Sequence, residues 1–214
     1  MTLITQAAIL ELLASRICHD LISPVGAINN GIEFMEDAGD DPESIKQASE
    51  LIAHSAQAAA ARLQAFRIAY GAGGRDGNIK PEDIQKTFGG LTKADGKVRQ
   101  SWDPFSSLGI DAKTPGFCKV LLGGMMLAME CLPKGGIVSV EPGTATETII
   151  RAEGDGAVVR DKVELALATN LPPEEIDPRL VHPYALSLIA ESYGFIILLN
   201  ETGENRVSFK IAHR

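Results

Sequence analysis

The residue of this sequence best suited to chemistry is His19, because its position predicts an exposed side chain. Ile17 and Leu21 belong to a series of apolar residues that recur every three or four positions, which is typical of the buried face of a helix. His19 lies two residues from each, and two residues correspond to about 200° around a helix, so the imidazole is predicted to point away from that face. An exposed imidazole is largely neutral at about pH 7 and is therefore a nucleophile that can accept a phosphoryl group.

The residues that share the predicted helix face of His19 are small or polar, apart from one apolar side chain. Such a face lets the backbone of another protein approach closely, so we interpret it as a docking surface around the histidine. Its members are Ser15, Arg16, Ile22, Ser23 and Gly26.

Pro24 stands inside the same predicted helix, one residue after Ser23. A proline within a helix removes one backbone hydrogen bond and costs about 3 kcal/mol. The carbonyl group that loses its partner belongs to Asp20, next to the histidine. A kink without a function is the alternative, but the grouping of proline, exposed histidine and acidic neighbour favours a functional one.

Two long helices are predicted for the N-terminal region, residues 1–72. The apolar series of the first runs from Ile9 to Met35, and that of the second runs from Ile45 to Tyr70. Asp41 and Pro42 between them form a helix-start pattern, so we expect an antiparallel hairpin. Two helices cannot cover both apolar faces, and the hairpin is therefore predicted to form a homodimer, with two hairpins making a four-helix bundle.

The residue pattern of the sequence changes after residues 71–77, a glycine-dense segment that is predicted to be a flexible linker. Beyond it the pattern predicts a second domain over residues 78–214, an α+β sandwich with helices on one face of a sheet. Strands are expected at residues 98–102, 136–140, 148–152, 194–199 and 206–211, and helices at 81–87, 115–131, 160–168 and 183–193.

Composition excludes several classes of protein. A net charge of −8 argues against nucleic acid as a partner, and no apolar run is long enough to span a membrane. The three cysteines lack the spacing of a metal site and are expected to be reduced thiols. The N-terminus does not have the pattern of a secretory signal, so a cytoplasmic location is expected.

Residues 16–28, RICHDLISPVGAI, resemble the phospho-acceptor box of dimeric histidine kinases, in which an acidic residue follows the histidine and a proline stands five positions after it. With the continuation NNGIE, residues 11–36 look like ChpT-type histidine phosphotransferases of alphaproteobacterial phosphorelays. The hairpin followed by an α+β domain agrees with this resemblance over the whole chain.

The C-terminal region resembles the ATP domain of histidine kinases with its nucleotide ligands lost. Residues 121–136 keep the form of the helix that holds magnesium and phosphates in those kinases, but Gly124 and Ala128 stand where polar ligands are expected. Glu130 is the one residue there that could hold a metal. Residues 153–157 are either the remnant of the adenine-reading box or, more simply, a turn between strands, and the glycine-rich lid is missing from residues 182–194.

The resemblance implies a role for each site residue. The Nε2 atom of His19 would take a phosphoryl group from the receiver domain of a hybrid histidine kinase and pass it to response regulator receivers. Asp20 would orient or polarise the imidazole, unless it is an ordinary surface carboxylate. Arg16 would neutralise phosphate or pair with an acidic receiver residue, unless it is simply solvated. Ser23 stands where related kinases orient water for dephosphorylation, and the question of such activity stays open.

No cofactor is expected on this chain, since the required magnesium would be bound by the receiver. The other histidines are expected to have plain roles: His54 as a surface residue and His182 as a cap or linker residue of a proline-led helix. Two alternatives keep the same architecture, an ATP-dependent histidine kinase and a non-catalytic adaptor that only binds receivers.

Overall fold

The computed structural model describes residues 3–71, 79–144 and 146–214. The helices are α1 (Leu3–Asp37), α2 (Pro42–Ala69), α3 (Pro81–Asp95), α4 (Phe117–Glu130), α5 (Val163–Leu167) and α6 (Val181–Ser192), with a short 3-10 helix at Pro173–Glu175. The strands are β1 (Val98–Gln100), β2 (Gly136–Pro142), β3 (Glu147–Glu153), β4 (Phe195–Gly203) and β5 (Arg206–His213). The predicted glycine-rich linker lies outside the described residues from residue 72 onward.

Helices α1 and α2 form the predicted hairpin. The side chain of Asp41 accepts a hydrogen bond from the backbone N–H of Ser44 at 3.1 Å, and Pro42 begins α2, as the helix-start pattern predicts. Gly31 allows the two helices to approach closely, since a Cβ atom at this position would lie 2.6 Å from Cγ1 of Ile52. The two helices therefore pack directly against each other along their length.

The C-terminal domain contains a five-stranded mixed sheet in the order β1-β2-β3-β5-β4. Strands β1 and β2 are parallel and the other pairs are antiparallel. One face of the sheet is apolar and buried, with Val138, Ile150 and Phe209 among its residues, whereas ion pairs such as Lys210 with Glu147 lie on the other. Helices α3, α4 and α6 pack on this domain's sheet, which confirms the predicted α+β fold.

Helix α4 is the most deeply buried helix of the domain, with twelve of its fourteen residues inside the core. Two glycines bring it close to its neighbours. A Cβ atom on Gly124 would lie 2.5 Å from Cδ1 of Ile150 in β3, and one on Gly123 would lie 2.5 Å from Cδ1 of Leu186 in α6. Position 124, where the kinase resemblance expects a polar ligand, is therefore filled by apolar packing.

Helix α3 is longer than predicted, extending to Asp95 and ending at Gly96, which has a positive φ of 76°. The pair Gly89-Gly90 lowers helix propensity and made the sequence pattern stop early. Burial of Phe88 and Leu91 on either side of the pair outweighs that cost. Residues 154–157 form a turn after β3, in which Ala157 N–H bonds to the Gly154 carbonyl at 2.9 Å. The turn leads to α5 and does not join two strands, and the relation of this segment to an adenine-reading box stays a prediction.

The hairpin and the C-terminal domain share one continuous apolar core. Ile9 from α1, together with Ala65, Phe66 and Ile68 from α2, belongs to the same cluster of buried residues as the sheet and α4. The phosphotransfer helix predicted from the sequence is thus packed against the C-terminal domain, which brings residues of that domain close to His19.

No helix among the described residues is both long and apolar enough to cross a bilayer.

Candidate functional site

His19 lies on α1 with 87% of its side chain exposed, which confirms the orientation predicted from its position on the helix. Its Nδ1 atom lies 3.2 Å from Oδ1 of Asp20. In the tautomer in which Nδ1 donates to this carboxylate, Nε2 has a free lone pair that faces solvent. The contact therefore separates the two nitrogens into one that is held and one that can react.

The backbone around His19 is held by a contact from α2. Pro24 leaves the carbonyl group of Asp20 without its helical partner, as predicted, and Nη1 of Arg62 donates to that oxygen at 3.0 Å. The arginine thereby satisfies a partly buried acceptor and ties the segment after His19 to the second helix of the hairpin. The sequence pattern located the unpaired carbonyl but not its donor.

The predicted docking face is open in the structure. Ser15, Ile22 and Ser23 are exposed, and a Cβ atom built on Gly26 would have no other atom within 4 Å. Among the described residues, no side chain therefore covers the surface around His19 on this side. Another protein could bring its backbone close to the histidine here.

Arg16 has a different environment from the other residues of that face, since only 15% of its side chain is exposed. Nη2 forms an ion pair with Glu130 of α4, Nη1 donates to the carbonyl of Pro178 at 3.4 Å, and Nε lies 4.0 Å from Oδ2 of Asp20. Burial by itself lowers the pKa of this guanidinium, but Glu130, together with Tyr70 and Asp20, more than offsets burial and the pKa is raised. Arg16 is therefore not an ordinary solvated arginine; it joins α1 to the C-terminal domain.

Glu130 and His182 complete this interdomain contact, and the sequence did not predict it. Nδ1 of His182 lies 2.7 Å from Oε1 of Glu130, and Nε2 lies 3.2 Å from the carbonyl oxygen of Gly123. His182 is fully buried, so the predicted cap or linker role is wrong: its side chain points at α4. Glu130 lies 114 positions after Arg16 and 52 positions before His182 in the sequence, and no local pattern connects residues at such separations.

The carboxylate of Glu130 is stabilised in its charged form by these neighbours. Burial alone would raise the pKa of the carboxyl group. Attraction to His182 and the hydrogen bond with it, followed by the same two effects from Arg16, outweigh burial and lower the pKa. The one residue of α4 that the sequence offered as a metal ligand is therefore occupied by two protein partners.

A cleft of about 420 Å³ lies beside His19 and is lined by both domains. The C-terminal domain adds two cations that sequence reasoning missed, Arg160 and Arg179. No group of three or more potential metal-ligating side chains occurs in the part of the chain that the structure describes. The cleft is lined by Ser15, Arg16, His19, Asp20, Glu130, Arg160, Pro178 and Arg179.

Comparison with known proteins identifies the family. Residues 81–205, more than half of the chain, match the family described as histidine phosphotransferase C-terminal domain. The chain belongs to this family. It is 39% identical over 201 residues to the protein phosphotransferase ChpT of Brucella abortus (strain 2308), an alignment that covers 92% of this chain and 91% of that protein. The phosphotransferase prediction is confirmed.

A solved structure described as a bacterial phosphotransferase has the same fold. The two chains superpose with a TM-score of 0.74 and share 34% sequence identity, and the match covers 95% of each. The likeness therefore includes the hairpin as well as the C-terminal domain of this histidine phosphotransferase.

Proposed function

We propose that this histidine phosphotransferase is a phosphorelay intermediate that carries the phosphoryl group on Nε2 of His19. The observation that supports this most is the exposed imidazole whose Nδ1 faces Asp20 while Nε2 is open to a partner. Nε2 attacks the phosphorus of an aspartyl phosphate on a donor receiver domain, so that an N–P bond forms and the acyl P–O bond breaks. The aspartate of an acceptor receiver then attacks in turn, and His19 leaves as the neutral imidazole.

Asp20 orients the imidazole and stabilises the positive charge that develops on the ring when Nε2 is phosphorylated. Ser15, Ile22, Ser23 and Gly26 form the surface on which the receiver docks. Arg160 and Arg179, at the other side of the cleft, supply positive charge next to the transferred group. Positioning and charge neutralisation are the main requirements of phosphoryl transfer, and these residues provide both.

Magnesium and ATP belong to other proteins in this proposal. Magnesium is bound by the docked receiver, and the phosphoryl group comes from a hybrid kinase's receiver domain and not from a nucleotide on this chain. Two contacts support this assignment: Glu130 is engaged by Arg16 and His182, and Gly124 packs on Ile150. The three free thiols, two of them buried, fit a reducing compartment, and we place the reaction in the cytoplasm.

We also propose that the protein acts as a homodimer through its hairpin. Large apolar side chains on both helices face solvent, among them Val25 and Ile32 on α1 and Ile45 and Leu63 on α2. Several large exposed apolar side chains on one hairpin are typical of an interface, and a second copy of the hairpin would cover them in a four-helix bundle.

Transfer from a panel of phosphorylated receivers tests the proposal. We expect label to move from at least one receiver to the wild-type chain and onward to a second receiver. His19→Gln should accept no label, whereas His54→Gln, which replaces an exposed histidine of α2, should behave as wild type. Transfer that persists in His19→Gln contradicts the proposal.

Two further experiments test the two alternative functions. Strong labelling of His19 by radioactive ATP in the absence of any receiver would identify a histidine kinase. Intact signal flow from a phosphorylated receiver in the His19→Ala variant would identify a non-catalytic adaptor. We expect neither result.

A further inference from the structure

A series of polar contacts, buried at its core end, runs from the core of the C-terminal domain to the helix that bears His19. It begins at the carbonyl of Gly123, passes through His182 and Glu130, and ends at Arg16, one turn before His19. We propose that Glu130 and His182 are positioning residues, which fix Arg179 of the C-terminal domain beside His19 by holding Arg16. This inference rests on the proposed function, since it concerns the surface that meets the receiver.

The core end of this series of contacts is held at two points. His182 is fully buried, and each of its ring nitrogens faces an oxygen acceptor, one on Glu130 and one on the backbone of α4. Rotation of the ring would break both contacts at once. The imidazole therefore sets the direction of the Glu130 carboxylate, and Oε1 of that carboxylate is the atom that also meets Arg16.

At the other end of this series of contacts, Arg16 holds the segment that carries Arg179. Arg16 bonds both to Glu130, the last residue of α4, and to the carbonyl of Pro178, which directly precedes Arg179. Two separate parts of the C-terminal domain are thus attached to one side chain of α1. If Arg16 lost Glu130, only its bond to the Pro178 carbonyl would remain of these two contacts, and Arg179 would be held less firmly beside His19.

A purely structural role would have a different consequence. Breaking a buried ion pair by removing one charge is destabilising wherever the pair lies. A positioning role predicts, in addition, that variants that are fully folded bind the receiver with lower affinity. The concentration dependence of transfer distinguishes these two roles, because His19 and Asp20 remain intact in the variants.

Single-turnover transfer from phosphorylated His19 to an acceptor receiver, measured against receiver concentration, tests the inference. For Glu130→Gln we expect the half-saturating receiver concentration to rise at least about fivefold while the rate at saturation stays within about twofold of wild type. His182→Gln should show the same pattern. Glu141→Gln, which removes an ion pair with Arg151 on the open face of the sheet, should leave both quantities unchanged.

Melting curves show whether each variant is folded at the assay temperature. Arg16→Lys is a further test variant, and it keeps the positive charge at this position. Because Lys cannot contact Glu130 and Pro178 together, we expect it to raise the half-saturating concentration as well. An unchanged half-saturating concentration in folded Glu130→Gln and Arg16→Lys overturns the inference. Failure of the wild-type chain to transfer at all would instead contradict the proposed function.

Discussion

Gly26 lies on the same open face as His19, within a helix and with empty space where a side chain would be. Glycine in a helix interior is less stable than alanine by roughly 0.5–1 kcal/mol, because it loses more backbone freedom on folding. A residue kept at that cost on an uncovered surface is best explained by the partner that approaches it.

We expect Gly26→Ala to raise the free energy of unfolding by roughly 0.5–1 kcal/mol, as measured by urea denaturation. Gly26→Tyr should also fold, since no described atom outside its own helix lies within 4 Å of the added Cβ position. It should raise the half-saturating receiver concentration at least about tenfold, the equivalent of about 1.4 kcal/mol of docking energy. Unimpaired docking of Gly26→Tyr would show that the receiver does not approach this face.

The lowered pKa of Glu130 leads to a prediction about acid stability. A carboxyl group whose pKa is lower in the folded than in the unfolded chain stabilises the fold above its unfolded pKa, about 4.3, and this contribution is lost as the pH falls through the folded pKa. The free energy of unfolding of the wild type should therefore fall more steeply below about pH 4 than that of Glu130→Gln. Parallel curves for the two proteins would contradict the assignment.

At the scale of elements, α1 is held near His19 by α2 and not by its own hydrogen bonds alone. Pro24 removes the bond to the Asp20 carbonyl, and Arg62 replaces it from the neighbouring helix. The position of the His19 segment consequently depends on the packing of the hairpin.

A double-mutant cycle tests this dependence. Pro24→Ala restores the helical N–H and should stabilise the protein by up to about 3 kcal/mol. Arg62→Met in the wild-type background should destabilise it by about 1.5–3 kcal/mol, because a partly buried carbonyl loses a charged donor. In the Pro24→Ala background the cost of Arg62→Met should fall to less than half, and additive effects in thermal or urea denaturation would show that the two residues do not share the carbonyl.

Local sequence patterns predicted most of the helices and strands, but they could not predict the contacts between these elements. The cap at Asp41 and the angle of His19 depend on residues a few positions apart, so the sequence alone was sufficient. The start of α6 was found, but the burial of His182 was not, because its partner Glu130 lies in another helix. The same reason explains why Arg16 was expected at the surface.

At the scale of the whole molecule, the hairpin has two apolar surfaces. One belongs to the core that it shares with the C-terminal domain, and the other, which includes Val25 and Leu63, is open. In the proposed homodimer, a second copy of the hairpin would cover the open surface.

We expect sedimentation equilibrium of the wild type at micromolar concentration to give a dimer, and Leu63→Glu to give a monomer. Leu63 is 57% exposed within one chain, so the substitution should leave the fold of the monomer intact. Phe105→Glu is the matched control: that side chain is 80% exposed on the loop between β1 and α4, and the variant should remain dimeric. A monomeric wild type would contradict the proposed bundle.

The close approach of α4 to the sheet has an evolutionary consequence. Any side chain introduced at Gly124 meets Ile150 at once, and overpacking of this kind costs about 1–3 kcal/mol. A polar ligand at this position would therefore need a second change, a loss of bulk on β3. Because two coupled substitutions are harder to reach one at a time than a single one, the packing at Gly124 opposes the appearance of a nucleotide ligand there.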